Sequence, residues 1–209
     1  MTVHLHKNDL PAGLDFGKSV AVDTETQGLS LVRDKLCLVQ LSAGDGEAHI
    51  VQMDRNSYDC PNLKALMTND QVTKIFHFAR FDVAIMKRDL NIEISPVFCT
   101  KIASGLVRTY TDRHGLKDLC RELIGVELSK QQQSSDWASD ELSEAQLNYA
   151  ASDVLYLHKL KTVLTGRLLR ENRLDIAEAC FKFLPVRADL DLAGWEDIDI
   201  FSHSLRRPN

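Results

Sequence analysis

Five side chains in this sequence have the types and spacing to hold hard cations: Asp23 with Glu25, Asp82, and Tyr149 with Asp153. In SVAVDTE the alternation of Val20 and Val22 with Asp23 and Glu25 predicts a strand over 19–25, so both carboxylates project from one face of a sheet. A cation could bridge them, although an acidic pair at a strand end is also a common solvated turn. Asp82 falls in the first turn of a predicted helix over 79–90, where a carboxylate can equally serve to complement the helix dipole. Tyr149 and Asp153 stand at i and i+4 in QLNYAASDVLYLHKL, on one helix face. Beside them Leu147, Ala150, Ala151, Val154 and Leu155 fill a core-facing arc. A carboxylate at that margin needs compensation, either a bound cation or a salt bridge to Lys or Arg.

Four acidic groups brought together would repel one another and raise each other's pKa until positive charge is supplied. Two divalent ions balance four negative charges. Ligation by oxygen alone, without clustered His or Cys, favours Mg²⁺ or Mn²⁺ over Zn²⁺. Two such ions about 3.5–4 Å apart suit in-line displacement at phosphorus, one activating water and the other stabilising the leaving oxygen.

The elements that must position these groups can be read in order. KLCLVQLS (35–42) and EAHIVQM (47–53) predict two strands joined by AGDG, whose Gly44 and Gly46 suit a tight turn, and with 19–25 they make an antiparallel meander. NLKALM after Pro61 predicts a short helix, VTKIFHF (72–78) a strand, ARFDVAIMKRDL (79–90) a helix and FCT near 98 a fifth strand. From Thr100 the pattern is helical, through KIASGLVR, GLKDLCRELIG and a long segment from Leu142 to about Glu171, while the chain after Leu184 is polar and has no clear assignment. The expected architecture is α/β: a mixed five-stranded sheet flanked by helices, compatible with an RNase H-like fold and with others. A strand over 72–78 parallel to and beside the first would bring Asp82 to the same sheet end as Asp23 and Glu25.

At 209 residues the chain suits one domain over 1–209, with a core of about 19–168 and an extension over 169–209. The polar N-terminus MTVHLHKNDL lacks the features of a signal peptide, so the expectation is a cytoplasmic protein. Five cysteines without close pairing suggest neither a disulfide framework nor a zinc site. Thirty acidic residues outweigh 25 Lys and Arg, for a net charge of −5, and no basic tract is present. Long nucleic acid is bound by neutralising many phosphates, so a nucleic-acid substrate here should be short or held at one end.

With VDTETQGL, HFARFD and SSDWASDELSEAQLNYAASDV in this order, the sequence resembles the three exonuclease motifs of the ribonuclease D branch of the DEDD superfamily, from about Ser19 to Leu168. The third motif is of the Y-x3-D variety, since Asn148 stands five before Asp153. The resemblance implies the RNase H-like exonuclease fold, metal ligation by Asp23, Glu25, Asp82 and Asp153, and a water oriented by Tyr149. It implies removal of nucleoside 5′-monophosphates one at a time from a 3′-hydroxyl end. Ala138 to Glu141 follow Trp137 where longer relatives continue with Arg-Pro, and the extension over 169–209 is expected to be too short for the helical RNA-binding domains that those relatives append.

The compact acidic form, with GLSLVRDKLCLVQLS and LSKQQQSSDW, is similar to the alphaproteobacterial oligoribonuclease family called nanoRNase C. That similarity implies very short single-stranded RNA as substrate, down to dinucleotides, and a homo-oligomeric ring, an octamer. Thr24, Gln27, Gly28 and Leu29 are expected near the terminal nucleotide, with Leu29 as a wedge against a base. His77, Arg108, His114, Lys130 and Gln133 are expected phosphate contacts, each equally readable as a surface or packing residue. The alternatives are a broader 3′–5′ exonuclease on longer RNA or DNA, and a non-catalytic RNA-binding module, which the intact ligand set disfavours.

Overall fold

Alternating and continuous apolar runs generate the sheet. In the computed structural model, which describes residues 1–129, 132, 134–203 and 205, the strands are β1 (Thr2–Lys7), β2 (Ser19–Thr26), β3 (Leu36–Ser42), β4 (Glu47–Gln52), β5 (Thr73–Phe76) and β6 (Val97–Cys99). They form one sheet of order β1-β4-β3-β2-β5-β6. The meander β2, β3, β4 is antiparallel, β1 lies parallel to β4, and β5 and β6 continue parallel to β2 on the other side.

The sheet therefore has six strands where five were expected. The added strand β1 is an edge strand, TVHLHK, whose residues are all exposed or half-buried. Polar side chains on an edge discourage further pairing and also hide the strand from a reading based on apolar periodicity. The central β3 is the opposite case, buried at every position.

Seven α-helices accompany the sheet among the described residues: α1 (Pro61–Thr68), α2 (Ala79–Leu90), α3 (Thr100–Val107), α4 (Leu116–Leu119), α5 (Glu144–Leu155), α6 (Leu157–Arg170) and α7 (Leu174–Leu190), with π-helical turns at Cys120–Ile124 and Asp191–Trp195. The predicted continuous helix from Leu142 divides at Tyr156, whose φ of −106° and ψ of −5° break the run between α5 and α6. A reciprocal capping box fixes the start of α5: the Ser143 hydroxyl accepts from the Gln146 amide while the Gln146 side chain accepts from Ser143 N. Two otherwise unpaired donors are satisfied, which anchors the helix that carries Tyr149 and Asp153. α5 lies across β2, β3 and β4, and α3 packs on α6.

Beyond Leu184, unassigned from sequence, residues 185–190 complete α7, which contains Pro185 and packs on α2, and a π-helical turn follows over Asp191–Trp195. Its end is fixed by Asp191, buried, which accepts from Arg80 at 2.6 Å and from Arg187. Removing that carboxylate would leave two guanidiniums facing each other, so it ties the tail to the first turn of α2. All five cysteines are free, four of them buried, and no helix of the described residues is long and apolar enough to cross a membrane.

Candidate active site

Asp23 and Glu25 occupy the C-terminal half of β2 and share a face, as their spacing predicts. The register of β2 against β3 slips between Glu25 and Thr26, an irregularity that ends regular pairing just past the two carboxylates. α5 crosses this face and carries Asp153. One oxygen from each of Asp23, Glu25 and Asp153 lies within 4.8 Å of the others.

Asp82 reaches the same end of the sheet by another route. β5 runs parallel beside β2, and Phe78, with φ of 64° and ψ of 44°, turns the chain from β5 into α2. A left-handed conformation costs a bulky residue about 1–2 kcal/mol. The Lys101 ammonium lies 3.9 Å from the Phe78 ring centroid and helps to hold that turn. Asp82, buried, accepts a hydrogen bond of 2.6 Å from the Thr24 hydroxyl. Thr24 lies between Asp23 and Glu25 in β2 and so points to the opposite sheet face. Asp82 thus stands apart from the three-carboxylate group, yet its charge weighs on Asp23, Glu25 and Asp153.

Among the described residues no Lys, Arg or His forms an ion pair with any of these four carboxylates. The salt bridge that would have accounted for Asp153 is therefore absent from the described residues. Burial, then the charges of Asp82, Asp153 and Glu25, holds Asp23 well above the usual carboxylate range. Burial, Asp153 and Asp82 push Glu25 up to about 9. Burial raises Asp82 to about 7 against the Thr24 hydrogen bond, and raises Asp153 to about 7 against a hydrogen bond from Tyr149. The Tyr149 phenol is pushed above its ordinary value by burial and by Asp153, Glu25 and Asp23. Geometry and electrostatics agree: the site gathers carboxylates, and among the described residues no cationic side chain pairs with them.

The other residues named from sequence distribute unevenly. Thr24 is buried with its hydroxyl committed to Asp82. Gln27 is exposed beside Lys35, and Gly28 packs against Asp34 so closely that an added Cβ would meet a carboxylate oxygen at 2.4 Å. Leu29 is 85% exposed. His77 Nδ1 lies 2.9 Å from the Thr100 hydroxyl, which itself donates to the Phe76 carbonyl, so Nδ1 carries the proton. Burial and Lys101 push this imidazole down to about 3. Arg108 was expected to meet a phosphate, but it is fully buried, with its two terminal nitrogens donating to Ser104, the Arg113 carbonyl and Glu122. His114 joins the same network through Ser104 at 2.9 Å. Lys130 and Gln133 lie outside the described residues.

A second group of metal-type side chains, His4, Glu47 and His49, has ligand atoms within 4.8 Å of one another at the β1 edge. The His4 and His49 rings stack at 4.8 Å with an angle of 17°. A cation must lie in the plane of each imidazole it binds, and planes so nearly parallel meet far beyond the roughly 2 Å of a metal–nitrogen bond. As placed, these rings pack rather than ligate.

Gln40 and Trp137 were not among the site residues named from sequence. Among the described residues, Gln40, fully buried in β3, has no partner for Nε2 or Oε1, and Trp137, whose ring centroid lies 6.0 Å from that of Tyr149, has none for its indole N–H. Leaving such groups unpaired costs about 1–3 kcal/mol each. A Gln in the otherwise apolar run LCLVQL was the available signal.

Residues 8–169 match the family described as 3′–5′ exonuclease. Ribonuclease D of Acidiphilium cryptum is 36% identical over 156 residues, which cover 75% of this chain and 39% of that protein. The chain thus spans about two fifths of the length of that curated relative. The solved structure of Brucella melitensis NrnC is 57% identical, covers 97% of this chain and 99% of its own, and superposes with a TM-score of 0.95. Structures of that Brucella protein bound to pGG and with bound Mg²⁺ are each 56% identical, cover 98% of this chain and 100% of theirs, and give TM-scores of 0.95 and 0.94.

Proposed function

Because the chain belongs to the 3′–5′ exonuclease family, we propose that it hydrolyses very short RNA from the 3′ end, releasing nucleoside 5′-monophosphates with the help of two divalent cations. The observation that carries this reading is the convergence of Asp23, Glu25 and Asp153 from β2 and α5, with Asp82 on α2 near enough for its charge to act on all three, and no cationic partner among the described residues.

The donor set fits hard ions, since every group is a carboxylate oxygen. When bound, divalent cations supply the charge that balances the carboxylates, acidifies an attacking water and stabilises the leaving 3′ oxygen. Asp23, Glu25 and Asp153 offer oxygens to a common position. Asp82, oriented by Thr24, offers its carboxylate from the α2 side. Burial and the neighbouring carboxylates raise the Tyr149 phenol above its ordinary value, which favours the protonated form, a hydrogen-bond donor that can orient the attacking water.

Tyr149→Phe is expected to lower kcat by roughly 10- to 100-fold with little change in KM, because a mispositioned nucleophile slows chemistry more than binding. Steady-state kinetics on a dinucleotide check this, and a variant at the wild-type rate would remove Tyr149 from the mechanism.

The short-substrate reading rests on the net charge of −5 and the lack of a basic tract, together with the pGG ligand of the Brucella protein. Purified protein with Mg²⁺ or Mn²⁺ is expected to convert 3′-hydroxyl di- to pentanucleotides to monophosphates faster than a 20-nucleotide RNA of the same sequence. Brisk turnover of the long RNA with none of the dinucleotide would replace this substrate class by the broader exonuclease.

A further inference from the structure

The most unusual polar group beneath the site is Gln40. Its neighbours in β3 explain themselves: the apolar ones pack, and Ser42 donates its hydroxyl to the Glu47 carbonyl at 2.7 Å. Gln40 is fully buried, and among the described residues neither of its amide atoms has a partner. A buried amide needs partners, and Met or Leu would fill the same space without that need.

Register says what the amide faces. Gln40 stands directly opposite Asp23 in the β2–β3 pair, so the two side chains leave the same face with Cβ atoms about 4.5–5.5 Å apart. On its other side Gln40 pairs with Ile50, and Ile50 packs in the cluster of Ala150, Leu147 and Tyr149. The lid over Gln40 is therefore α5, the helix that also carries Asp153. A neutral donor and acceptor lie between a carboxylate and the helix bearing another, with neither hydrogen-bonding capacity used.

We propose that Gln40 is a positioning residue for the carboxylate site: its Nε2–H donates to Asp23 when a cation is bound, fixing which oxygen Asp23 turns toward the ion. The amide is neutral, so it orients the carboxylate without competing for it as Lys or Arg would. This inference rests on the cation-binding reading of the carboxylates, and the test separates the two.

The wild-type chain and Gln40→Met, which keeps length and removes the polar atoms, are titrated with Mn²⁺ by calorimetry and melted in chelator. The expected result is about tenfold weaker Mn²⁺ binding or more, together with equal or higher thermal stability without metal. A packing role would instead leave Mn²⁺ affinity unchanged, and that result overturns the proposal. In wild-type protein with assigned glutamine side chains, the Gln40 amide resonances should shift on Mg²⁺ addition whether or not the variant folds; resonances that stay fixed at saturating Mg²⁺ also overturn it. Wild type that binds no Mn²⁺ sinks the cation-binding reading along with this one, whereas equal binding by wild type and variant sinks this one alone.

Discussion

Asp23→Asn is expected to slow hydrolysis by roughly a thousandfold or more, about 4 kcal/mol of transition-state stabilisation, while raising the melting temperature of the metal-free protein. The two signs have one cause. Asp23 sits in a buried position with Asp82, Asp153 and Glu25 all raising its pKa, and no basic residue among the described ones relieves it. Asparagine keeps the shape and removes the charge, so the apo fold loses a repulsion and the loaded site loses a ligand. Steady-state rates on a dinucleotide, with melting curves in chelator, measure both effects. A variant that keeps wild-type activity would exclude Asp23 from the site. One that loses activity and also melts lower in chelator would mean Asp23 was a structural residue whose loss damages the fold.

Much of this site was legible because its logic is periodic. Two residues apart on a strand means one face, and four apart on a helix means one side, so Asp23 with Glu25 and Tyr149 with Asp153 could be paired before any fold was known. Asp82 needed one topological step, a parallel strand beside β2, which β5 supplies. What escaped were quantities that depend on long-range packing. β1 is a polar edge strand, and α7 runs through Pro185, which normally argues against a helix interior. Arg108 looks like a phosphate ligand in the sequence, yet the fold closes Ser104, Arg113 and Glu122 around it. Thr24 was read as a substrate contact because it adjoins two carboxylates, while its alternation places it on the far face against Asp82.

The burial of Asp82 and of the network around Asp191 also gives the C-terminal segment a structural consequence. Asp191 engages Arg80, which lies two residues before Asp82 in the first turn of α2. The segment after α6 therefore braces the helix that presents the fourth carboxylate. That coupling could not be anticipated while the segment had no assigned structure.

Cation binding is expected to raise the melting temperature by roughly 5–10 °C at 100 times the dissociation constant, with a larger gain at pH 8 than at pH 5. The sign follows from the pKa shifts. In unfolded chain these carboxylates titrate near 4, whereas burial and mutual repulsion raise Asp82 and Asp153 to about 7 and Glu25 to about 9. Between those limits the folded state binds more protons than the unfolded one, so the carboxylates' contribution to metal-free stability falls as pH rises from about 4 to 9. His77, held down at about 3, works in the opposite direction up to neutral pH, and Lys74, lowered to about 8, does so above that. Absolute melting curves therefore mix opposing trends. The difference between Mg²⁺ and chelator at each pH removes what is common to both arms and leaves the competition of cations with protons at the carboxylates. A gain that is the same at pH 5 and pH 8 would mean that Mg²⁺ binds where no displaced proton is needed, away from Asp23, Glu25, Asp82 and Asp153.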